Sequence, residues 1–360
     1  MAEDKQSAIL KKASPLEPHI ELGLDTFGDV TVGSDGKLLP HDEVLRHVVA
    51  EGVLADSVGI DFIGIGEHHR DDFAVSSPEI VLAAIASQTS HIRLGSAVTV
   101  LSSDDPVRLF QRFSTLNAVS SGRAEVILGR GSFTESFPLF GYELHDYEIL
   151  FEDKLDLFAA LLRDKEINWE GKTRAPLKHQ KIFPPLAAGG LKTWIGVGGS
   201  PESVVRAVRY DMPMMLAIIG GDPKRFRPYV DLYQRAYAQT ERAPKPLGVH
   251  SPGHVADTDE RARDEAYQGY KTLRDRIGRE RGWGPTSRAE FDNEVTNGSM
   301  YVGTPETVAK KIAATMQALG LMRFDMKYSM GTMPHEAAMR SIELYGTKVA
   351  PMVREILAKG

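Results

Sequence analysis

The sequence of 360 residues contains no cysteine. This absence excludes disulfide bonds, zinc–thiolate centres and a cysteine nucleophile. It also suits a reducing compartment, so we expect a cytoplasmic protein. No run of 18 apolar residues occurs, so no membrane span is predicted. Residues 1–18 are polar and lack the apolar stretch of a signal peptide, and we expect them to form a flexible N-terminal arm.

An excess of positive charge is also missing. The formal net charge is −6, because 43 basic residues are scattered among 49 acidic ones. Nucleic acids and anionic membranes bind clustered basic residues, so neither is expected as a partner. The hydrophobic fraction of 42% is ordinary for a globular protein and is enough for a large core.

The sequence does contain a repeated alternation of short apolar strands and amphipathic helices. Strands are predicted at 19–25, 61–66, 92–101, 123–129, 192–197, 214–219, 247–250 and 323–329. Helices are predicted at 41–57, 77–87, 105–120, 147–163, from 201, and at 223–239, 304–319 and 335–357. Eight strand–helix units indicate parallel strands that close into a (β/α)8 TIM barrel. An open doubly wound sheet is the structural alternative.

A single barrel domain is therefore expected over residues 19–360, with insertions at 168–191 and 257–299. The first insertion is irregular and rich in proline and glycine, and the second is predicted to be partly helical. Segments of this length are often lids or binding loops, so both are expected to shape a substrate pocket.

A candidate anion site follows the fifth predicted strand, at the Gly-Gly-Ser-Pro turn 198–201. Glycines let the backbone approach a ligand, Ser200 is a good N-cap and Pro201 is a good first helical residue. The free N–H groups of a helix start favour phosphate, and Arg130 after the fourth strand can add a bidentate partner. A tight turn with a good cap explains the same residues equally well. Glu202 counts against phosphate unless its side chain turns outward.

A second candidate follows the second strand, where Glu67, His68 and His69 are consecutive. Adjacent residues of a strand point to opposite sides, which disfavours a two-histidine metal site. A single histidine near its usual pKa can act as an acid or a base, and Glu67 and His68 are expected to face the cavity. One histidine in the mouth and one packed under the loop is the plainer alternative. Other histidines have no evident partner in the sequence: His145, His250 and His254.

The third predicted strand ends in a run of small and apolar residues, 96–101. Such a wall can lie flat against a planar ring, although a buried strand is the simpler explanation of the run on its own.

Five motifs in this order resemble the luciferase-like, FMN-dependent monooxygenases and oxidoreductases of bacteria. They are 59–62 leading to Glu67-His68-His69, then 92–101, 123–131, 198–203, and 340–345 before 349–351. The resemblance runs from residue 19 to about residue 358. It implies a barrel that binds FMN at its mouth.

The resemblance also implies roles for particular residues. The phosphate is expected at Gly198, Gly199 and Ser200, with Arg130 in contact with it. His68 is expected at the reacting face of the flavin, and we take the neighbouring Glu67 as a second catalytic candidate. The ring is expected to rest on Ala97, Val98 and Thr99, with a non-proline cis peptide at Ser96-Ala97 or Ala97-Val98. No metal is expected.

The function implied is a two-component monooxygenase that uses reduced FMN and O2 to oxidise a small organic substrate. A separate flavin reductase and a homodimer are expected with it. The alternatives are a deazaflavin- or NAD(P)-linked reductase or dehydrogenase, a barrel that binds flavin without turnover, and a metal-dependent hydrolase. Luciferase proper has a cysteine near its flavin, so light emission is not implied here.

Overall fold

A ring of eight parallel strands forms the centre of the computed structural model, which describes residues 20–131 and 133–359. Numbered β1 to β8, they are Glu21–Thr26, Phe62–Ile65, Arg93–Ser96, Ala124–Gly129, Lys192–Val197, Met214–Ala217, Leu247–Val255 and Arg323–Lys327. Each strand pairs with the next, and β8 pairs back onto β1. This closure confirms the (β/α)8 barrel and excludes the open sheet. The predicted arm 1–18 lies outside the described residues.

Helices cover the outside of the ring. They span His41–Ser57, Pro78–Ala86, Pro106–Val119, Tyr147–Arg163, Pro201–Arg209, Arg227–Ala238, Pro305–Leu319 and His335–Leu344, and the last continues through a π-helical turn into Ala350–Lys359. Their starts follow the predicted signals. For example, Asp105 caps its helix by accepting from the N–H groups of Val107 and Arg108. No helix of the described chain is both long and apolar enough to cross a membrane.

The third predicted strand is the clearest departure from the sequence analysis. It is two strands, Arg93–Ser96 and Thr99–Val100, and the peptide bond between Ala97 and Val98 is cis. This bond is one of the two positions that the resemblance implied.

Three further elements differ from the prediction. Strand β7 continues to Val255 because its end pairs with an unpredicted strand, Tyr301–Gly303. A short helix, Ser136–Phe140, follows β4. The segment 168–191 contains part of an antiparallel hairpin formed by Ile167–Trp169 and Leu177–Gln180.

Packing closes the lower end of the ring. The main core lies between strands and helices, and a smaller apolar cluster lies inside the ring: Phe62, Ala97, Ile127, Trp194 and Met215. Below it Arg323 is fully buried and donates to Glu125 at 2.7 Å and to Asp325 at 2.9 Å. These side chains fill the barrel floor, so the space for a ligand lies at the carboxyl ends of the strands.

Candidate functional site

One side of the barrel mouth is built from residues with small side chains, which we call the small-residue wall. Its members are Gly64, Gly66, Ala97, Val98, Gly129 and Gly196. A side-chain carbon placed on Gly129 would come 2.5 Å from Val98 Cγ2, and one on Gly64 would come 2.7 Å from Ala97 Cβ. The glycines are therefore required by the close approach of their strands to Ala97 and Val98.

Thr99 continues the chain next to this wall. The residue is 2% exposed, and its hydroxyl has no hydrogen-bond partner within residues 20–131 and 133–359. A buried polar group without a partner costs about 1–3 kcal/mol. The structure thus brings the predicted residues Ala97, Val98 and Thr99 together and leaves one hydroxyl unused beside them.

His68 lies in a group of aromatic rings at the end of β2, which we call the aromatic cluster. Its ring centre is 4.5 Å from that of Phe27, 4.5 Å from that of Phe73 and 4.7 Å from that of Phe133. Burial lowers the pKa of His68 to about 3, an effect that the charge of Asp29 does not offset. The imidazole is therefore neutral near pH 7.

Glu67 connects the end of β2 to the wall. Its Oε1 accepts a hydrogen bond from the Val100 N–H at 2.6 Å, and its Oε2 lies 3.6 Å from His69 Nε2. The ring of His69 packs edge-on against Phe140 at 5.1 Å. The hydrogen bond to the Val100 N–H suits a residue that positions the strand after Val98. No three His, Asp or Glu side chains of the described chain converge as metal ligands would.

The insertion 257–299 lies over the aromatic cluster. It forms helices Asp259–Arg281 and Arg288–Asn297. Glu280, near the end of the first helix, accepts from Arg70 at 2.7 Å, and the same guanidinium donates to Glu135 at 2.7 Å. Arg70 therefore joins three segments around the mouth. The insertion is thus anchored at the barrel mouth, and its role in shaping the pocket stays a prediction.

The segment 168–191 has different neighbours. The Thr173 N–H donates to Asp153 at 2.7 Å, and the Phe183 carbonyl accepts from Gln111 at 3.0 Å. Asp153 and Gln111 belong to two outer helices, so these contacts carry the chain along the flank of the barrel towards the start of β5. They do not support the expectation that this segment shapes the pocket.

The predicted anion turn follows β5. Gly199 has a φ of +109°, which favours glycine, and its carbonyl accepts from the Tyr229 hydroxyl at 2.6 Å. Ser200 caps the next helix by accepting from the Ser203 N–H at 3.3 Å. A carbon on Gly198 would meet nothing within 4 Å, and within the described residues the N–H groups of Gly199 and Ser200 donate to no other group. The turn therefore has both room and free donors for an anion.

Two arginines lie beside this turn. Arg130, at the end of β4, pairs with Glu148 and lies over the Tyr147 ring. Arg206, on the helix after the turn, is 4% exposed and donates to Glu152 at 2.5 Å. Arg206 was not among the residues predicted from the sequence. Its position one turn into a helix that starts at a candidate anion site was the signal available for it.

The surroundings of Glu202 show that the turn stabilises a negative charge. Its carboxylate accepts from the Ser200 hydroxyl at 2.8 Å. The pKa of Glu202 is lowered first by its own backbone N–H, then by that hydroxyl, and further by the charges of Arg130 and Arg206. An exposed carboxylate thus occupies the place predicted for phosphate, and the same groups that stabilise it would stabilise an anionic ligand.

The side of the mouth next to the wall carries charges and forms what we call the charged side: Asp25, Asp29, His250 and Lys327. His250 Nδ1 lies 2.7 Å from Asp25 Oδ2, and Lys327 Nζ lies 2.9 Å from Asp29 Oδ2. Burial alone would lower the pKa of His250, but the charge of Asp25 and its hydrogen bond outweigh burial and raise it.

Two histidines that had no evident partner in the sequence therefore have one. His250 pairs with Asp25, which is 225 residues away, and His254 pairs with Glu265 at 2.7 Å. Inward-facing polar residues near the ends of β1 and β7 were the signal available for the first pair. His145 lies 3.4 Å from the exposed Asp146.

Comparison with known proteins agrees with this architecture. The FMN complex of the oxygenating constituent of 3,6-diketocamphane monooxygenase from Pseudomonas putida superposes with a TM-score of 0.75 at 20% identity, covering 93% of this chain and 98% of that one. The coenzyme F420-dependent tetrahydromethanopterin reductase of Methanopyrus kandleri gives a TM-score of 0.70 at 17% identity, covering 92% and 99%. Both similarities confirm the fold.

Sequence comparison identifies the family. The 4-hydroxyprotoasukamycin monooxygenase of Streptomyces nodosus subsp. asukaensis is 25% identical over 315 residues, which are 82% of this chain and 83% of that one. A family model described as luciferase-like monooxygenase matches residues 25–323. Because this match spans most of the chain, the protein belongs to the luciferase-like monooxygenase family.

Proposed function

We propose that the protein is a flavin-dependent monooxygenase that uses reduced FMN and O2 to oxidise a small organic substrate. A separate flavin reductase would supply the reduced FMN. The observation that carries the proposal is the presence, at one barrel mouth, of an anion-suited turn and a small-residue wall beside a half-buried neutral histidine. Family membership and the monooxygenase relative support it. A homodimer and a cytoplasmic location remain predictions.

The residues of the mouth fit FMN in shape and charge. The open space over Gly198 and the free N–H groups of Gly199 and Ser200 suit a phosphate. A phosphate would displace the carboxylates of Glu148 and Glu202, and the Glu148 side chain is 60% exposed, so it can turn into solvent. The wall offers a flat surface to a planar ring, and the unused Thr99 hydroxyl lies beside it.

Each group of residues would have a separate task. Bound reduced FMN would supply the electrons that activate O2. Arg130 and Arg206 would hold the phosphate, and the wall would orient the ring. The aromatic cluster would exclude water around His68, whose neutral imidazole can hold a proton on one nitrogen and accept one on the other. Glu67 would act as a positioning residue by holding the Val100 N–H.

Binding of FMN and riboflavin to the purified protein tests the proposal. Arg130→Ala should weaken FMN by about 10- to 100-fold, since a hydrogen bond to a charged group is lost, and should leave riboflavin almost unchanged. Arg209→Ala is a matched control, because Arg209 is 61% exposed on the helix after the turn. Equal effects of Arg130→Ala on both ligands would remove Arg130 from the phosphate site.

The same experiment separates the alternatives. Glu202→Gln should strengthen FMN binding, because it removes the carboxylate that competes for the Ser200 turn. Tighter binding of a deazaflavin than of FMN would favour the reductase. Binding of reduced FMN without O2 consumption beyond that of free reduced FMN would favour the barrel without turnover. No binding of either flavin at millimolar concentration would overturn the proposed function.

A further inference from the structure

The charged side adjoins the small-residue wall directly. A side-chain carbon placed on Gly64 would come 2.7 Å from Ala97 Cβ and 3.1 Å from Asp25 Cβ, so these two residues flank the same glycine. Asp25 in turn holds His250 at 2.7 Å, and the His250 side chain is 15% exposed. Ala97 and Asp25 are therefore neighbours, and a planar ligand that rests on Ala97 would have Asp25 and His250 beside it.

His250 keeps one ring nitrogen available to such a ligand. Its Nδ1 is bound to Asp25, and no described residue forms a hydrogen bond with its Nε2. Because Asp25 accepts from Nδ1–H, the protonated ring presents an N–H donor at Nε2.

Charged groups of two other strands, β1 and β8, lie near His250. Asp25 lies on β1, and Asp325 and Lys327 lie on β8. Lys327 is bound by Asp29 and Asp325 is bound by Arg323. On β6, the residue in register with His250 is the uncharged Ala217. His250 thus differs from Lys327: when it is protonated, its Nε2–H donor has no partner among these groups.

The second histidine of the mouth cannot take this role. The ring of Phe27 lies 4.5 Å from the His68 ring and 6.3 Å from the His250 ring, so both histidines border the same aromatic side chain. His68 is surrounded by Phe27, Phe73 and Phe133 and stays neutral. A negatively charged ligand would therefore be stabilised on the His250 side.

We propose that His250, held by Asp25, donates a hydrogen bond from Nε2 to the reduced flavin ring and so makes the mouth bind reduced FMN in preference to oxidised FMN. Reduced flavins lose the N1 proton near neutral pH and carry negative charge on the pyrimidine ring, whereas the oxidised ring is neutral. A charge-assisted hydrogen bond therefore favours the reduced form. This proposal rests on the proposed function and adds redox-state selection to it.

Anaerobic titration with oxidised and reduced FMN measures this preference. His250→Gln should weaken reduced FMN about tenfold and oxidised FMN less than about twofold, because only the charge-assisted bond is lost. His254→Gln is the matched control, since His254 forms its own carboxylate pair at 2.7 Å on the same strand with Glu265. His254→Gln should leave the ratio of the two affinities unchanged. Oxidised FMN binding also shows that each variant is folded.

The pH dependence of reduced FMN binding gives a second readout. In the wild type, affinity should fall as pH rises through the pKa of His250, because the Nε2 proton is lost. Asp25→Asn should move this fall to lower pH, since the carboxylate raises that pKa. His250→Gln should retain only the dependence that comes from the flavin N1 and from other groups such as Asp325, whose pKa burial raises to about 6.

The outcomes separate this inference from the proposed function. If the wild type binds both flavins and His250→Gln leaves their affinity ratio unchanged, redox selection by His250 is overturned and the proposed function stands. If an unmodified protein binds neither flavin, both are overturned. A loss of preference in His250→Gln alone supports the inference.

Discussion

The small-residue wall and the charged side adjoin each other at one barrel mouth, yet they are built in opposite ways. The wall is shaped by the close approach of Gly64 to Ala97 and of Gly129 to Val98, and the histidine beside it, His68, has a pKa of about 3. On the charged side a carboxylate holds His250 and raises its pKa. The same residue type is therefore neutral on one side and favours the cation on the other. Because the pKa values of the two histidines differ, the wall suits an uncharged ring and the charged side suits charge and protons.

The largest effect is expected from Lys327→Met, which removes an ion pair from the charged side. The Asp29 side chain is 2% exposed, and Lys327 is its ion-pair partner at 2.9 Å. Removal of Lys327 leaves a buried carboxylate unpaired, so the free energy of unfolding should fall by about 3–5 kcal/mol. Urea denaturation at pH 7 measures the change.

Two variants control for this loss. Lys359→Met breaks an exposed pair with Glu355, whose side chain is 65% exposed, and should cost less than about 1 kcal/mol. The double variant Asp29→Asn/Lys327→Met removes both charges and should recover most of the stability. A single variant as stable as Lys359→Met would show that the charged side does not depend on this pair.

A smaller effect is expected on the wall from Gly66→Ala. The added carbon would overlap the Phe27 ring and lie 2.6 Å from the Ala97 carbonyl oxygen, which is backbone and cannot rotate away. Overpacking of this kind costs about 1–3 kcal/mol in the free energy of unfolding. FMN binding should weaken as well, because Phe27 and Ala97 must shift.

Gly284→Ala is the matched control for the wall. A carbon there meets nothing within 4 Å, so stability and flavin binding should stay as in the unmodified protein. Equal stability of Gly66→Ala and Gly284→Ala would contradict the account of the wall as a surface fixed by close backbone contact.

The two sides also differ in how far sequence reasoning reaches them. The candidates at the wall and the turn, such as His68, Ala97 and Ser200, lie in short local motifs, and the helices His41–Ser57 and Tyr147–Arg163 were predicted at their observed bounds because their apolar periodicity is strong. The break in the third strand was not predicted from its residues, although the resemblance implied a non-proline cis peptide at Ser96-Ala97 or Ala97-Val98.

The charged side depends instead on contacts between distant strands. Asp25 and His250 are 225 residues apart, and only the barrel closure that brings β8 next to both β1 and β7 places them together. No local sequence pattern joins two residues so far apart. The lowered pKa of His68 was not predicted for the same reason, because Phe27 and Phe133 come from other strand ends.

The two histidines predict opposite contributions to the pH dependence of stability. The pKa of His68 is about 3 in the folded protein and about 6.5 when unfolded. The unfolded chain therefore binds more protons, and the contribution of His68 is complete above about pH 6.5 and falls as pH decreases. His250 behaves in the reverse way: its raised pKa stabilises the fold below about pH 6.5, and this contribution is lost as pH rises through the folded value.

The smallest effect is expected in this pH dependence. Urea denaturation of the wild type, His68→Gln and His250→Gln at pH 5, 6, 7 and 8 measures it. His68→Gln should remove roughly 1–2 kcal/mol of the stability difference between pH 7 and pH 5, since one unit of pKa shift corresponds to about 1.4 kcal/mol. His250→Gln should instead reduce the loss of stability between pH 6 and pH 8. Groups common to all three proteins, such as Asp325, cancel in these differences. If both substitutions change the profile in the same direction, the two sides of the mouth do not hold their histidines in opposite states, and the division between a neutral wall and a proton-handling side is wrong.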